Sequence, residues 1–326
     1  MYDFSGMIAK LKDNPKSIIF TEGPDPRILE AASRLLKDGF LKPVLLGNAE
    51  EIKANAAAGG FDIEGAKIID PLNYEKIDEM VAALVELRKK KGMTPEQAAE
   101  TLTHSNYFGT MLVKMGEVDC LLGGATYSTA DTVRPALQII KTKPGSSIVS
   151  SCFVLEREKN GASEVIVMAD CAINLMPDED QLVEICGEAV GCAKIFGVDP
   201  KVAFLSYSTL GSGKGEDVDK MRNAAHKAAE KYPDVPIDGE LQFDAAVSET
   251  VAKTKAPNSK VAGKANVFIL PDINAGNIGY KIAQRLGGFD AFGPILLGLN
   301  APVNDLSRGC NASEVYSMAI ITAAQA

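Results

Sequence analysis

The sequence predicts an α/β protein with two domains, each built on a mostly parallel sheet. Short apolar segments alternate along the chain with longer segments whose apolar residues recur at helical spacing. Several short segments are apolar at nearly every position, which is typical of strands covered on both faces by helices. At 326 residues the chain is long enough for two domains of ordinary size.

The predicted elements alternate along the whole chain. Strands are predicted at 42–47, 66–70, 119–125, 146–155, 164–172, 202–208, 265–272 and 291–298. Helices are predicted at 28–39, 74–92, 95–102, 179–197, 215–232 and 277–288, and a further helix ends the chain. Several helical segments end in basic residues followed by glycine, a common C-terminal signal. The alternation of strands and helices favours parallel pairing.

Proline and glycine interrupt the periodic pattern at residues 141–147, and glycines interrupt it again at residues 287–293. If both are boundaries, residues 1–143 and 292–326 form one discontinuous α/β domain, and residues 144–291 form the second. An active-site cleft is then expected between the two domains.

Charge and composition narrow the possible functions. The formal net charge is −9, which argues against a nucleic acid or an anionic membrane as partner. An anionic ligand must then be bound by a local cluster of arginines and backbone amides. No apolar stretch reaches about 18 residues, and no basic, hydrophobic signal peptide opens the sequence, so we expect a cytoplasmic protein.

Cysteine and histidine indicate little about catalysis. The six cysteines show no CxxC pair or other zinc spacing, and most stand among apolar residues, so we expect reduced thiols in the core. With only His104 and His226, neither a catalytic triad nor a multi-histidine metal site is expected. A carboxylate or the substrate itself must then move any proton.

Two turns are candidates for anion binding. Residues 208–217, STLGSGKGED, fail as a P-loop, because Ser208 and Gly215 stand where that motif needs glycine and a hydroxyl residue. What remains is a glycine- and hydroxyl-rich turn between a strand and a helix, whose N–H groups can bind an anion. A flexible connection is the alternative. Residues 272–281, DINAGNIGYK, repeat this layout. The substrate-binding candidates of the two turns are Ser208, Thr209, Gly211, Ser212 and Asn277.

A third turn lies within residues 123–138, GGATYSTADTVRPALQ, where the glycines allow a sharp bend after a strand. Four of its side chains can cap the following helix, namely those of Ser128, Thr129, Asp131 and Thr132. Pro135 suits a first helical turn, which would place Arg134 at the start of the helix. An arginine after the carboxyl end of a strand stands where α/β sheets bind ligands, although a solvated arginine is the alternative.

A polar run, NDLSRG, covers residues 304–309 between an apolar segment and the C-terminal helix. Its Asn-Asp pair favours a turn and its glycine permits a positive φ, so we expect Ser307 and Arg308 to project from a constrained loop. Asn311 and Glu314 match a capping box at the start of the last helix, which gives Glu314 a structural role.

Five segments carry a family resemblance, in this order along the chain: LRKKKGMTPEQA, NYFGTMLVKMG, GATYSTADTVRPALQ, DINAGNIGYKIAQRLG and NDLSRG. Together they resemble the short, single-function bacterial form of phosphate acetyltransferase (phosphotransacetylase), essentially from end to end. The resemblance implies two α/β domains of the isocitrate-dehydrogenase-like kind, a cleft between them and a homodimer. It also implies the reaction acetyl-CoA + phosphate ⇌ acetyl phosphate + CoA, with no bound cofactor.

The family's functional residues fall on positions of this chain. The serine and arginine of the SRG motif fall on Ser307 and Arg308. The arginine of the T-x-RPAL segment falls on Arg134, and the arginine before the KKG segment falls on Arg88. The family's catalytic aspartate, seven residues after the motif serine, falls on Glu314. The carboxylate is therefore kept, on an arm one methylene longer.

The resemblance also implies a role for each of these side chains. Arginines bind phosphate bidentately, so Arg308 and Arg134 are assigned to the phosphate or acetyl phosphate, and Arg88 to the CoA side. Ser307 would donate to the carbonyl oxygen of the thioester in the transition state. Glu314 would take the thiol proton of CoA when acetyl-CoA is formed.

Two mechanisms and several activities stay open. Many relatives carry histidine where this chain has Tyr127, and no neighbouring imidazole is available to activate the serine, so direct transfer in a ternary complex is favoured over an acyl-serine. Butyryl or propionyl transfer is the nearest alternative, because discriminating one methylene is worth only about 1–3 kcal/mol. A metal-dependent hydroxyacid dehydrogenase and a non-catalytic acetyl-CoA-sensing domain are the others.

Overall fold

The computed structural model describes residues 2–326, which divide into two compact units. We call residues 4–144 and 299–326 the terminal unit, and residues 145–298, with Tyr2 and Asp3, the central unit. The boundary predicted between residues 291 and 292 falls inside a strand of the central unit. No helix of residues 2–326 combines the length and apolarity needed to cross a membrane.

The strands are β1 (Lys16–Phe20), β2 (Leu41–Leu46), β3 (Lys67–Ile69), β4 (Cys120–Gly123), β5 (Ser150–Lys159), β6 (Ala162–Ala169), β7 (Val202–Leu205), β8 (Ile237–Leu241), β9 (Val267–Ile269), β10 (Asp290–Leu297) and β11 (Val303–Asp305). The α-helices are α1 (Ser5–Asp13), α2 (Pro26–Asp38), α3 (Ala49–Gly59), α4 (Ile77–Arg88), α5 (Pro95–Thr101), α6 (Ser105–Lys114), α7 (Thr129–Pro135), α8 (Glu179–Ile195), α9 (Glu216–Lys231), α10 (Phe243–Val247), α11 (Glu249–Lys255), α12 (Ile273–Leu286) and α13 (Ala312–Ala324). Short 3₁₀ turns cover 71–73 and 89–91, and a π-helical turn covers 136–140.

The sheet of the terminal unit has five parallel strands in the order β11-β4-β1-β2-β3. All four residues of β4 are buried, as its continuous apolar run predicted. Because β11, β4 and β1 are neighbours and parallel, their carboxyl ends meet at one edge of the sheet. Ligands of α/β proteins bind at such an edge.

The sheet of the central unit has six strands in the order β10-β5-β6-β9-β7-β8. Pairing is parallel from β6 through β9 and β7 to β8. It is antiparallel on both sides of β5, which pairs with β6 and with β10. The prediction of an α/β fold with mostly parallel sheets is confirmed.

Helix α2 begins directly after the loop that follows β1. Asp25 occupies the N-cap and its side chain accepts the backbone N–H of Arg27 at 2.9 Å, while Pro26 is the first helical residue. Gly39 ends the helix at φ 72°, a left-handed conformation that glycine adopts without strain. Asp25 and Pro26 fix the start of α2, and they place Arg27 in its first turn, directly after the loop that follows β1.

Candidate active site

Three loops of the terminal unit meet at the carboxyl edge of its sheet. We call them the β1 loop (residues 21–25), the β4 loop (residues 124–128) and the β11 loop (residues 306–311). The backbone N–H of Leu306 donates to the carbonyl of Gly123 at 2.7 Å, which joins the start of the β11 loop to the end of β4.

The β11 loop exposes the serine and arginine that the sequence singled out. Ser307, Arg308 and Gly309 are all exposed. Oγ of Ser307 accepts the backbone N–H of Gly309 at 3.2 Å, so the hydroxyl keeps its own proton for donation elsewhere. The exposure of Ser307 and Arg308 on a hydrogen-bonded loop therefore agrees with the sequence prediction.

The turn predicted at Asn304 and Asp305 is wrong, because both residues belong to β11 and are buried. Their polar groups are satisfied inside the unit. Asn304 Nδ2 donates to Thr322 Oγ1 at 2.9 Å, and Asp305 accepts side-chain hydrogen bonds from the β4 side. Gly309 does not adopt a left-handed conformation either. The loop is shaped by strand pairing rather than by special backbone angles.

Two glycines allow the β4 loop to lie against its neighbours. A Cβ on Gly124, whose φ is 101°, would lie 2.3 Å from Oδ1 of Asp305. A Cβ on Gly123 would lie 2.2 Å from both Thr21 Oγ1 and the Tyr127 hydroxyl. No side chain fits at those distances, so the loop can reach this position only with glycine at both places.

Glu22 of the β1 loop forms hydrogen bonds with the backbone of the β4 loop. Oε1 of this buried carboxylate accepts the backbone N–H groups of Gly124 at 3.1 Å and Thr126 at 3.0 Å. Thr21 Oγ1 donates to its other oxygen at 2.8 Å. Burial raises the pKa of Glu22, and the hydrogen bonds offset only part of that rise. The N–H groups of Gly124 and Thr126 therefore bind the Glu22 carboxylate of the protein itself.

The hydroxyls of the two predicted substrate-binding residues on the β4 side already have partners. Ser128 Oγ donates to Asp131 Oδ2 at 2.7 Å, and it does not accept a capping hydrogen bond. Thr129 Oγ1 donates to Asp305 Oδ2 at 2.6 Å, and Thr132 donates to the other oxygen of the same carboxylate. Burial raises the pKa of Asp305, which these hydroxyls counteract in part. In this structure both hydroxyls shape the site, and their contact with substrate stays a prediction.

Arg134 lies at the end of α7, not at its start. The helix begins at Thr129, and Pro135 is its last residue, so the predicted position of Pro135 in the first helical turn is wrong. Asp131 N–H bonds to the carbonyl of Ser128 at 2.8 Å, so the helix starts six residues before the proline. The Arg134 side chain is 55% exposed and pairs with Asp131 at 3.4 Å, so its guanidinium is accessible to an anion.

Arg88 is the last residue of α4. Its Nε is buried and donates to no acceptor among residues 2–326. An unpaired buried donor costs about 1–3 kcal/mol, so an acceptor supplied by a ligand would stabilise this position.

Glu314 and Asn311 form the predicted capping box at the start of α13. Asn311 Oδ1 accepts the N–H of Glu314 at 3.0 Å, and Glu314 Oε2 accepts the N–H of Asn311 at 2.9 Å. The Glu314 side chain is nevertheless exposed. The structural role is confirmed, and the carboxylate keeps lone pairs that solvent or a ligand can reach.

The turn after β7, in the central unit, binds an internal carboxylate. Glu240 is fully buried on β8, and its Oε1 accepts the Ser208 hydroxyl at 2.8 Å and the Gly211 N–H at 2.7 Å. Arg222 Nε donates to the other oxygen at 3.0 Å. Burial alone raises the pKa of Glu240, but these hydrogen bonds outweigh it and lower the pKa.

Two predicted substrate contacts of this turn are already hydrogen-bonded within the protein. Ser208 and Thr209 are buried, and their hydroxyls bond to Glu240 and Gln242, so both residues shape the turn; their contact with substrate stays a prediction. Gly211 and Ser212 are exposed and stay predicted substrate contacts.

Asn277 lies inside α12, because the helix begins at Ile273 after the N-cap Asp272. The predicted turn within residues 272–281 is therefore wrong. A Cβ on Gly276 would lie 2.1 Å from the Asp170 carbonyl, so this glycine serves close packing of the helix. Asn277 Nδ2 donates to the Cys171 carbonyl at 3.1 Å, and substrate contact at this position stays a prediction.

The loop after β6 is also built around a carboxylate. Asp170 is buried and accepts the backbone N–H groups of Ala172 at 2.9 Å, Ile173 at 3.2 Å and Asn174 at 3.0 Å. The Ser151 hydroxyl donates to it as well. Internal carboxylates thus organise loops in both units.

The thiols lie in the core, as predicted. The buried cysteines are Cys120, Cys152, Cys171, Cys186, Cys192 and Cys310, and none of them forms a disulfide. Burial raises the pKa of Cys186 to about 12. Such thiols are poor nucleophiles at neutral pH.

Comparison with known proteins identifies the family. A model of the phosphate acetyl/butaryl transferase family matches residues 4–323. The chain belongs to this family. It is 53% identical over 323 residues to the phosphate acetyltransferase of Bacillus subtilis (strain 168), in an alignment that covers 99% of this chain and 98% of that relative.

Solved structures agree with this membership of the phosphate acetyl/butaryl transferase family. A phosphotransacetylase from Streptococcus pyogenes is 53% identical, has a TM-score of 0.95, and is matched over 99% of this chain and 97% of its own. A branched-chain phosphotransacylase from Enterococcus faecalis V583, at 20% identity and a TM-score of 0.68, is matched over 95% and 98% and shares the fold. The predicted enzyme class, an acyltransferase, is confirmed.

Proposed function

We propose that this protein is a phosphate acetyltransferase, which catalyses acetyl-CoA + phosphate ⇌ acetyl phosphate + CoA. The proposal rests on the sequence identity of this chain, 53% over nearly its full length, to a protein named phosphate acetyltransferase. The exposure of Ser307 and Arg308 on the β11 loop agrees with it. The test is formation of acetyl phosphate from acetyl-CoA and phosphate. Parallel assays with propionyl-CoA and butyryl-CoA decide the acyl range, and a higher kcat/KM for butyryl-CoA would contradict the acetyl assignment.

Transfer proceeds by direct attack of phosphate on the thioester carbonyl in a ternary complex. Arg308 and Arg134 bind the phosphate and orient one oxygen for attack, a role for which exposed guanidinium groups are suited. The Ser307 hydroxyl keeps its proton and donates a hydrogen bond to the carbonyl oxygen as that oxygen becomes an oxyanion. The C–S bond then breaks, and CoA leaves as the thiol or thiolate.

Two further side chains complete the proposed chemistry. In the direction of acetyl-CoA synthesis, Glu314 takes the proton of the CoA thiol, which its exposed carboxylate supports. Arg88 binds the CoA side, which its buried and unpaired Nε supports. Arg88→Gln is therefore expected to raise KM for acetyl-CoA more than KM for phosphate. The reaction needs no bound cofactor, since CoA is itself a substrate.

The enzyme acts in the cytoplasm, in keeping with cysteines that form no disulfide. Cell fractionation tests this assignment, and recovery of the acetyl-transfer activity outside the cytoplasmic fraction would contradict it.

It also acts as a homodimer, which an apolar stripe on α12 supports. Ile278, Ile282 and Leu286 follow one another at the spacing of one helix face and are 56%, 54% and 85% exposed. We expect a dimer in light scattering and a monomer for Ile282→Asp, because a charge on a buried apolar interface is costly. Lys253→Asp, on α11, is the control. A monomeric wild-type protein would contradict the dimer.

A further inference from the structure

Arg27 donates hydrogen bonds from all three of its guanidinium nitrogens within the terminal unit, although no motif of the sequence analysis included it. Nη1 donates to the backbone carbonyls of Arg308 at 2.8 Å and Cys310 at 3.2 Å. Nη2 donates to the carbonyl of Ala125 at 2.9 Å. One side chain therefore connects the β11 loop to the β4 loop.

Asp25 fixes the orientation of this guanidinium. Its Oδ1 accepts Arg27 Nε at 3.0 Å, and its Oδ2 accepts Arg27 Nη2 at 2.7 Å. Such a bidentate pair holds the guanidinium plane in one orientation. Asp25 is also the N-cap of α2, so the pair is anchored to a helix of the structure and not to a mobile chain.

Arg27 contacts the two loops through backbone carbonyls and the Cys310 Sγ, which lies 3.8 Å from Nη1, and not through the side chains of Ser307 or Arg308. Those side chains are exposed, whereas the Arg27 side chain is only 29% exposed and is occupied by protein acceptors. Apart from Arg27, the hydrogen bond from Leu306 N–H to Gly123 joins the β11 loop to β4. Inside the loop, Cys310 N–H donates to the carbonyl of Ser307 and Gly309 N–H to Ser307 Oγ, and the capping box of Asn311 and Glu314 joins its end to α13.

From this geometry we infer that Arg27 is a positioning residue for the proposed acetyl transfer. It acts through the carbonyls of Arg308 and Cys310 to hold Ser307 and Arg308 in place against the β4 loop. The inference rests on the proposed function. Lysine cannot replace Arg27, because a single ammonium group lacks the planar set of donors that reaches three carbonyls and a carboxylate.

The matched control is Arg34, on the same helix. Arg34 Nη1 donates to Ser313 Oγ at 3.1 Å and its guanidinium lies 4.4 Å from the centre of the Tyr316 ring, so it also connects α2 to the C-terminal segment. It does not contact the β11 loop. Arg34→Gln therefore removes a comparable tertiary contact without releasing Ser307 or Arg308.

The first experiment measures steady-state kinetics and thermal stability of Arg27→Gln, Arg27→Lys and Arg34→Gln. We expect both Arg27 variants to lose about tenfold to hundredfold in kcat and to raise KM for phosphate, because small displacements of catalytic groups are costly. KM for acetyl-CoA should change little. Arg34→Gln should lower the melting temperature comparably with near-normal kcat. Normal kcat in Arg27→Gln, or full recovery in Arg27→Lys, would overturn the inference.

The second experiment is a double-mutant cycle with Arg308→Ala. If Arg27 works through the β11 loop, Arg27→Gln should cost much less in the Arg308→Ala background than in the wild type. Equal losses in the two backgrounds would show that Arg27 acts elsewhere, and would overturn the inference.

The third experiment does not depend on activity. Trypsin cleaves after Arg308, whose carbonyl Arg27 holds, so the rate of release of fragment 309–326 reports the order of the loop. We expect faster release in Arg27→Gln and Arg27→Lys than in the wild type or Arg34→Gln. Equal rates would overturn the positioning role. If the wild type transfers no acetyl group, the proposed function fails, and the cleavage rates alone decide whether Arg27 orders the loop.

Discussion

Ser307 has a hydrogen-bonding state that distinguishes two mechanisms. Its oxygen accepts the Gly309 N–H, which suits a hydroxyl that donates its proton, whereas a nucleophile would need a base to remove that proton. We expect Ser307→Ala to lose about 10²–10³ in kcat, the loss typical of one missing oxyanion donor. Initial-velocity patterns should intersect. Trapping an acetylated Ser307 by mass spectrometry, formed as fast as turnover, would establish the covalent route instead.

Glu314 caps helix α13, and its carboxylate is nevertheless exposed to solvent. The capping hydrogen bond to Asn311 N–H can be made equally by a glutamine, which cannot accept a proton at neutral pH. We therefore expect Glu314→Gln to melt near the wild-type temperature and to lose about 10²–10⁴ in kcat for acetyl-CoA formation. Glu314→Asp should keep much of the activity, since it keeps a carboxylate and is the residue that the family resemblance implies at this position. Ordinary turnover in Glu314→Gln would reduce the residue to a helix cap.

At the level of elements, most of the apolar strands were predicted, whereas β1 and the short polar strands β8 and β11 were not. β8 reads IDGEL and β11 reads VND, and their polar side chains obtain hydrogen-bond partners only after folding. Glu240 of β8, for example, is satisfied by a turn about 30 positions earlier in the chain. Local periodicity carries no information about such distant partners.

The turn after β7 has a pH dependence that follows from Glu240. The pKa of Glu240 is lowered in the folded protein, so the unfolded chain binds more protons between that pKa and the usual value of about 4.3. The stability that Glu240 contributes is therefore complete above this window and is lost as the pH falls through it.

Glu240→Gln should remove this acid sensitivity. We expect the variant to be less stable at pH 7 by about 1–3 kcal/mol, the cost of leaving buried donors poorly paired. The difference from the wild type should shrink as the pH is lowered below about 4. Asp219→Asn is the control, because Asp219 pairs with the same Arg222 at 3.1 Å but is 62% exposed. A stability difference that does not change with pH would contradict the role of the Glu240 charge.

For the whole molecule, the net charge of −9 proved a poor guide to where negative charge lies. Some of the carboxylates that count toward it are buried in loops or at the ends of strands, where they accept hydrogen bonds from backbone N–H or hydroxyl groups; they are Glu22, Asp170, Glu240 and Asp305. Motifs in the sequence select Ser307, Arg308, Arg134 and Arg88 as candidate site residues, and their roles stay predictions. The sequence could not separate hydroxyls that face a ligand from those, such as that of Ser208, that face an internal carboxylate.

The internal carboxylates lower the entropic cost of substrate binding. A loop whose amides already hold an anion of the protein is ordered before any substrate arrives, so little conformational entropy remains to be lost on binding. In amide hydrogen exchange, the N–H groups of Gly124, Thr126 and Gly211 should be protected in the ligand-free protein. Adding acetyl phosphate should slow them little further, whereas Glu22→Gln should speed exchange at Gly124 and Thr126 alone. Rapid exchange at these amides without ligand would mean that substrate, and not Glu22 or Glu240, brings the loops to order.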